Sequence, residues 1–554
     1  MEASFDTILT RLGTGKWNIS YYISLMYWYS LLTYHTLGGA FFAPPVDHTC
    51  RPPTDAHTAT VILPPVTDHN ITSYSPKDTH LATDASCSYL VQDPATGNLM
   101  EEACTDWVFD NSTFIYTVTS EFQLVCDRKY LRATYQSMYM FGVLVGAGIN
   151  GFLADRFGRL TMITIASIAY TIISVGSAWL PTLSTLIAAR FLLGIMHPTS
   201  LQTGYILIME VTEMKMRSRI GTLQFISWTV GTMLWGGWAY LVRNWRWLQT
   251  MVSLPCLLFL PALWILEESP RWLVVRGHHD RALRVLQKAA AWNNASLPPS
   301  QELLSIMKEI ELKSASSSSN DAEKTVMDRV QGLLARLVIL FRTRKLRIIT
   351  LVMLIQYFVV AMISFGLTLG AGTFNVNPFL YMTIAGIVEL PGTTLLIPLI
   401  STYGRKKVTA ISFALCAISL MTEPLPSKDY KWLSVTLVMV GKMTSSSAFS
   451  AVFLYASELF PTEIRTQGMS AAMMSSRAGA IIAPFLMGAL NSTFPWAITV
   501  VFGALSLVAA VSSFPLPETL NTDLPDTITD LEGKRSITSK KDTNSGPDTR
   551  ATTC

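Results

Sequence analysis

Four charged side chains lie inside long apolar segments of this 554-residue chain, where charges are costly and usually functional. They are Arg190, Glu389, Lys442 and Arg477. A carboxylate facing an aqueous cavity can bind an ammonium group, and a guanidinium can bind a carboxylate through two hydrogen bonds. Glu389 and Arg477 therefore predict a site for a zwitterion or another small organic ion. The alternative is that these two side chains neutralise each other.

Aromatic side chains recur at helical spacing in the fifth and seventh apolar segments. Phe225 and Trp228 lie in the fifth, and Phe365 lies in the seventh. An aromatic face attracts a quaternary ammonium group by about 0.5–2 kcal/mol. We expect these three residues to contact substrate, although packing against lipid or core is the common role of such residues.

One short stretch, Gly-Phe-Leu-Ala-Asp-Arg-Phe-Gly-Arg at residues 151–159, places three charges within five residues between two apolar segments. Such a stretch is expected where a membrane helix meets water. The second half repeats part of it as Tyr-Gly-Arg-Lys-Lys at residues 403–407. An internal repeat of six segments is typical of transporters built from two bundles around a central site.

The composition indicates a polytopic membrane protein. Charged residues are 14% of the chain, against about 25% in soluble domains. The net charge is only +4, with basic residues confined to particular loops, so nucleic acid is not an expected partner. Apolar segments long enough to cross a bilayer as helices number about twelve. They span residues 19–43, 132–153, 160–180, 182–207, 219–241, 247–266, 347–370, 379–401, 408–423, 432–456, 467–490 and 496–516. The first lacks a cleavage site and is expected to be retained.

Two long segments set the predicted sidedness. Residues 44–129 hold four cysteines and the sequons at Asn70 and Asn111, which indicates an extracellular, disulfide-bonded and glycosylated loop. Residues 267–346 are rich in Lys and Arg, which places them in the cytoplasm. Residues 1–18 and a disordered tail at 518–554 are then predicted to be cytoplasmic too. After the first span at 19–43, the other spans lie within residues 130–266 and 347–517.

No enzyme motif is present. The chain has no dinucleotide fingerprint, no phosphate-binding loop and no His-Glu-x-x-His sequence, and its histidines form no metal constellation. We therefore expect no cofactor and no bound metal, and any uphill transport must use an ion or solute gradient.

Several motifs together resemble one transporter family. The stretch at 151–159 matches the Gly-x-x-x-Asp-Arg-x-Gly-Arg loop of the major facilitator superfamily. Trp-Arg-Trp at 245–247, Glu-Ser-Pro-Arg-Trp-Leu at 268–273 and the run from Tyr455 to Gly468 resemble the organic cation, carnitine and organic anion transporters. The resemblance covers residues 1 to about 518.

This resemblance implies an all-α membrane protein, with twelve transmembrane helices in two six-helix bundles and a large extracellular loop. It implies alternating access in the plasma membrane, and disulfides joining Cys50 to Cys104 and Cys87 to Cys126. The family's third bridge is absent here. A homo-oligomer is left open.

Charged residues at the predicted cytoplasmic ends of the spans are expected to act in gating. Asp155 predicts a latch to a basic group of the other half, and acid and base recur at the ends of the fourth and tenth spans. Plain headgroup anchoring or structural ion pairing is the alternative. The predicted gating residues are Asp155, Arg156, Arg159, Glu210 with Arg217 or Arg219, Arg405, Glu458 and Arg465.

The substrate class remains open between family members. Arg477 stands where anion and carnitine members carry Arg, whereas Glu389 is similar to the cation and carnitine members, and Thr393 replaces the lysine of anion members. The favoured hypothesis is a polyspecific transporter of organic cations or carnitine-like zwitterions. The alternatives are an organic anion or dicarboxylate exchanger, and a membrane receptor or scaffold that does not transport.

Overall fold

The computed structural model describes residues 5–51, 61–62, 86–92, 99–318, 338–370, 376–426, 430–491, 496–520, 522, 525 and 527–533. The predicted sequon at Asn70 and most of the predicted disordered tail lie outside these residues. The chain divides into two compact units. The first contains Met1–Glu311, Thr368–Ile384 and Pro484–Ser492, and the second contains Leu312–Leu367, Ala385–Ala483 and Thr493–Cys554.

Helices account for most of the first half of the chain. They are α1 (Phe5–Leu12), α2 (Lys16–Thr36), α3 (Val118–Glu121), α4 (Lys129–Phe157), α5 (Arg159–Ser177), α6 (Leu183–Val211), α7 (Met214–Leu241), α8 (Trp245–Ser253), α9 (Cys256–Phe259), α10 (Pro270–Val275), α11 (His279–Asn293) and α12 (Ser300–Ser318). Short 3-10 turns cover Gly38–Ala40, Cys126–Arg128 and Leu260–Trp264.

The second half follows the same plan. Its helices are α13 (Arg344–Leu369), α14 (Pro378–Thr394), α15 (Leu396–Tyr403), α16 (Arg405–Thr422), α17 (Lys431–Leu459), α18 (Arg465–Asn491), α19 (Ala497–Ser512) and α20 (Ile528–Gly533).

Each of the twelve predicted spans coincides with a helix or a run of helices in the described residues. Seven of these helical stretches are long and apolar enough to cross a membrane by length and composition, and Ala497–Ser512 is a shorter apolar helix. The sixth span is broken between α8 and α9 near Pro255, and the eighth between α14 and α15 after Pro391. Proline lacks the N–H that an unbroken helix would use, so these interruptions have a local cause.

Helices α4 and α6 pack at very short range in the first unit. Three glycines permit this approach: a Cβ on Gly142 would collide with the Phe191 carbonyl, one on Gly146 with the Ile195 carbonyl, and one on Gly194 with the Tyr139 carbonyl. Small residues that let helix backbones approach are typical of membrane interfaces. The contact fixes the position of the Arg190 side chain, which α6 carries.

The predicted extracellular segment contains short strands that the sequence analysis did not predict. Strand β1 (His48–Cys50) pairs antiparallel with β5 (Trp107–Phe109), and β2 (Val61–Ile62), β3 (Ser88–Gln92) and β4 (Leu99–Ala103) form a second antiparallel sheet. Strands of two to five residues are too short to leave an alternating pattern in the sequence. On this sheet Tyr89 donates to the Glu102 carboxylate at 2.8 Å, and that hydrogen bond raises the pKa of Tyr89.

Two disulfides fasten these strands to each other and to the start of α4. The structure joins Cys50 to Cys104 and Cys87 to Cys126, with Cα atoms 5.9 Å and 5.6 Å apart, the pairing that the family resemblance implies. Cys256 and Cys416 are free and buried.

Candidate functional site

The first charge cluster lies where α4 meets α5, in the motif at residues 151–159. The guanidinium of Arg159 lies 3.0 Å from the Asp155 carboxylate and 3.2 Å from the Glu210 carboxylate at the end of α6. The side chains of Arg159 and Glu210 are only 14% and 15% exposed, whereas that of Asp155 is 71% exposed. The Arg159–Glu210 pair is therefore the shielded interaction, and surface ion pairs such as the one to Asp155 contribute little.

A third acid, Glu268, completes this cluster by binding the N-terminal backbone of α5. Glu268, which is buried, accepts hydrogen bonds from the backbone N–H groups of Arg159 at 2.9 Å and Leu160 at 3.1 Å. Those N–H groups have no partner within the helix, and a negative charge is favoured at a helix N-terminus. Gly158 has φ +101°, and a Cβ there would collide with the Glu268 carboxylate. Gly158 therefore leaves the space that the Glu268 carboxylate needs to cap α5.

The second unit builds the same cluster from different sequence. Arg405, the first residue of α16, binds Glu458 through Nε at 2.9 Å and Nη2 at 2.9 Å, with side chains 19% and 15% exposed. The backbone N–H of Arg405 donates to Glu518 at 2.8 Å. Gly404 has φ +92°, and a Cβ there would meet the carboxylate of Glu518.

The two clusters correspond residue by residue. The paired arginine and glutamate are 51 residues apart in the first unit and 53 in the second, and the capping glutamates follow the arginines by 109 and 113 residues. One member differs, because Ser401 stands where Asp155 would be, and its hydroxyl donates to the Pro398 carbonyl at 2.9 Å. Although the sequence repeat is partial, the structure repeats the whole charge cluster except for Asp155.

Glu268 and Glu518 are functional candidates that sequence reasoning missed. Each follows the last membrane helix of its half and lies within two residues of a proline, in Glu-Ser-Pro at 268–270 and Pro-Glu-Thr at 517–519. This shared position, after the last span and near a proline, is the sequence signal that could have identified both glutamates.

The remaining predicted gating residues have other partners than those expected. Arg217 binds Asp6 of α1 at 2.6 Å and donates to the carbonyl of Thr212 at 3.2 Å, so it caps the end of α6 instead of pairing with Glu210. Arg465 likewise donates to the Phe460 carbonyl at 3.3 Å, beyond the end of α17. Arg156 is exposed, and its guanidinium lies 5.5 Å from the Phe157 ring centroid. Pairing across the two halves stays a prediction.

Among the predicted substrate contacts, Glu389 has the most informative surroundings. Its Oε1 accepts a hydrogen bond from the buried Ser446 hydroxyl at 3.1 Å, while its Oε2 is buried without a hydrogen-bond partner in the described residues. One turn before Ser446 on α17, Lys442 is buried and donates to the Ser364 carbonyl at 3.3 Å. The Ser364 and Ser445 hydroxyls lie 2.8 Å apart. The second unit thus holds a polar strip in an apolar span.

The structure describes fewer contacts for the other residues predicted to bind substrate. Arg477 is half-buried on α18. Phe365 is half-buried on α13, directly after Ser364. Trp228 is half-buried on α7, with its ring centroid 6.0 Å from that of Tyr29. Phe225 lies on the same helix, but its side chain is outside the described residues.

The contacts of Arg190 indicate that this cation has a structural role. It is 1% exposed, and its guanidinium donates to the His35 carbonyl at 2.9 Å and to Gln136 Oε1 at 3.1 Å. It also lies over the rings of Tyr135 and Tyr139, 4.5 Å and 4.8 Å from their centroids. Cation–π contacts of this kind stabilise a desolvated charge by about 2 kcal/mol.

One group in the described residues brings together side chains that could bind a metal ion: His48, Cys87 and Cys126. The two sulfurs are joined in a disulfide, so neither is the thiolate that a metal would need. The sequon at Asn111 is exposed.

A family model described as sugar (and other) transporter matches residues 106–528. Among curated proteins, the chain is 30% identical to an organic cation transporter protein of Drosophila melanogaster, over 95% of this chain and 94% of the relative. It is also 30% identical to solute carrier family 22 member 6 of Oryctolagus cuniculus, over 91% and 90%, and to organic anion transporter 3 of Homo sapiens, over 96% and 94%.

Among solved structures, the chain is similar in fold to the xylose transporter XylE from E. coli in an inward open conformation. The match has a TM-score of 0.56 at 18% sequence identity and covers 76% of this chain and 93% of that one. At this identity the likeness concerns the fold alone.

Removing either capping glutamate should destabilise its unit. We expect Glu268→Ala and Glu518→Ala each to lower the free energy of unfolding by about 1–2 kcal/mol, because helix N–H groups lose a charged acceptor. Glu463→Ala, at an exposed position, is the matched control. Chemical denaturation of the purified protein in detergent measures the change, and a loss no greater than that of the control would contradict the capping role.

Proposed function

We propose that this chain, which belongs to the organic cation and organic anion transporter family of the major facilitator superfamily, carries organic cations or zwitterions across the plasma membrane by alternating access. As a family member it is an all-α membrane transporter of organic ions and not an enzyme. Its preference for cations or carnitine-like zwitterions, and the membrane in which it works, are the proposed part.

The carboxylate of Glu389, whose Oε2 is buried, carries the proposal. Its Oε2 has no hydrogen-bond partner in the described residues, and its Oε1 has one hydroxyl. A carboxylate with one buried oxygen that lacks a hydrogen bond is costly to maintain, since an unmade hydrogen bond to a charged group costs about 1–3 kcal/mol or more. A substrate ammonium group would supply the missing partner. We propose that Phe365, Phe225 and Trp228 offer aromatic faces to a substrate cation.

Arg477 is the proposed partner for a carboxylate end. Guanidinium groups bind carboxylates in a bidentate geometry that lysine cannot reproduce. We propose that Glu389 and Arg477 bind the opposite ends of a zwitterion.

The two arginine–glutamate clusters support a proposal for gating. Each joins two helix ends to the segment that follows the last span of its own half, so that these helix ends can move together. We propose that Asp155, exposed at the edge of the first cluster, pairs with the other half in one conformation, with the termini on the cytoplasmic side.

The second candidate function is exchange of organic anions. It is favoured by Arg477 and by the buried cation Lys442, and by the likeness to organic anion transporter 3. It is disfavoured by Thr393 in the position of the anion members' lysine. A receptor or scaffold without transport is the third reading, and saturable uptake into proteoliposomes by the purified chain would exclude it.

Neutralising Glu389 should impair cation recognition. We expect Glu389→Gln to raise the KM for tetraethylammonium uptake about tenfold, equivalent to about 1.4 kcal/mol, because the ammonium loses its counterion. Glu423→Gln is the matched control, since Glu423 accepts from Thr499 at 2.9 Å and is not a proposed contact. Uptake into proteoliposomes measures both, and equal effects of the two substitutions would contradict the assignment.

Reversing the charge at Arg477 should separate substrate classes. We expect Arg477→Asp to reduce uptake of carnitine and of a dicarboxylate at least tenfold, while tetraethylammonium uptake falls less than threefold, because only the first two need a carboxylate partner. Uptake of the three labelled compounds by vesicles measures this. An equal loss for all three would assign Arg477 a structural role.

A further inference from the structure

A small open cleft of about 70 Å³ lies in the first unit where α2 ends and α4 begins. Every residue that lines it belongs to that unit. The lining combines apolar and small residues with two cations, and includes Gly39, Leu369, Pro484, Lys129, Arg132 and Gln136. By the predicted sidedness it opens toward the outside.

Arg132 is the distinctive side chain of this cleft. It is half-buried, and within the described residues it has neither an ion pair nor a hydrogen bond. No aspartate or glutamate lines the cleft in the described part of the chain, and Asp127, the nearest acid in sequence, is exposed. A half-buried guanidinium without a counterion retains five donors for an incoming acceptor.

A third cation lies under the floor of the cleft. Gln136 lines the cleft, and its Oε1 accepts from the guanidinium of Arg190 at 3.1 Å. Arg190 is buried and has carbonyl, amide and aromatic partners but no carboxylate among the described residues. Low-dielectric walls focus the field of such charges and raise the local concentration of opposite charge.

We propose that this cleft is an outer docking site for the carboxylate of a small organic anion or zwitterion, with Arg132 as its anchor. Neither Glu389 nor Arg477 lines the cleft, and its use in substrate capture rests on the proposed transport function. The planar guanidinium binds the carboxylate, and the apolar lining contacts the part of the organic body next to it. Inorganic anions such as sulfate have no organic body, so they would gain only the electrostatic attraction of Arg132.

Uptake kinetics test the site in the full-length protein. We expect Arg132→Gln to raise the KM for carnitine three- to tenfold while leaving the maximal rate and the KM for tetraethylammonium unchanged. Arg132→Lys should restore part of the effect. Arg128→Gln, an exposed arginine that does not line the cleft, is the matched control and should change neither substrate. Equal changes for both substrates, or no change for carnitine, would overturn the proposal.

Ligand-induced stabilisation tests the site without transport. A ligand that binds only the folded protein raises its melting temperature, so benzoate should raise it in the purified wild type and in Arg128→Gln, and markedly less in Arg132→Gln. Sulfate at equal ionic strength should produce less than half the shift. Identical benzoate shifts in wild type and Arg132→Gln, or equal shifts from sulfate and benzoate, would overturn the proposal. If wild type transports neither substrate, the proposed function fails while this measurement still decides the cleft.

Discussion

The arginine–glutamate pair at the first turn of α5, and its repeat at the first turn of α16, is the interaction on which the ends of both halves depend. Each pair has side chains less than a fifth exposed, so solvent screens it less than a surface pair. Each arginine also begins a helix whose backbone is capped by a glutamate from beyond the last span of that half. One point therefore joins three segments that are distant in sequence.

This arrangement explains why a glycine precedes each arginine. The chain leaves one membrane helix and enters the next at positive φ, where a side chain would be strained and would displace the capping carboxylate. Asp155 is the addition that only the first half has. Its exposure leaves it available for a different partner in another conformation, which fits the gating role proposed for it.

The membrane helices could be predicted because each must present about twenty apolar residues to the bilayer. The disulfide pairing could be read from family resemblance. The partners of Arg159 and Glu210 could not, because they depend on helix ends separated by 51 residues, and local sequence favoured Arg217 instead. Glu268 and Glu518 were missed because a helix cap supplied from so far along the chain leaves no local pattern. The strip formed by Glu389, Ser446 and Lys442 needed the register of α14 against α17.

A double-mutant cycle on Arg405 and Glu458, repeated on Arg159 and Glu210, tests most directly whether these pairs hold the helix ends together. Free energies of unfolding would be measured for Arg405→Gln, Glu458→Gln and the double variant. We expect a coupling energy of about 1.5–3 kcal/mol in each half. Either single substitution already removes the interaction between the shielded partners, so the double variant loses it only once. Additive losses, with coupling below about 0.5 kcal/mol, would contradict the central claim.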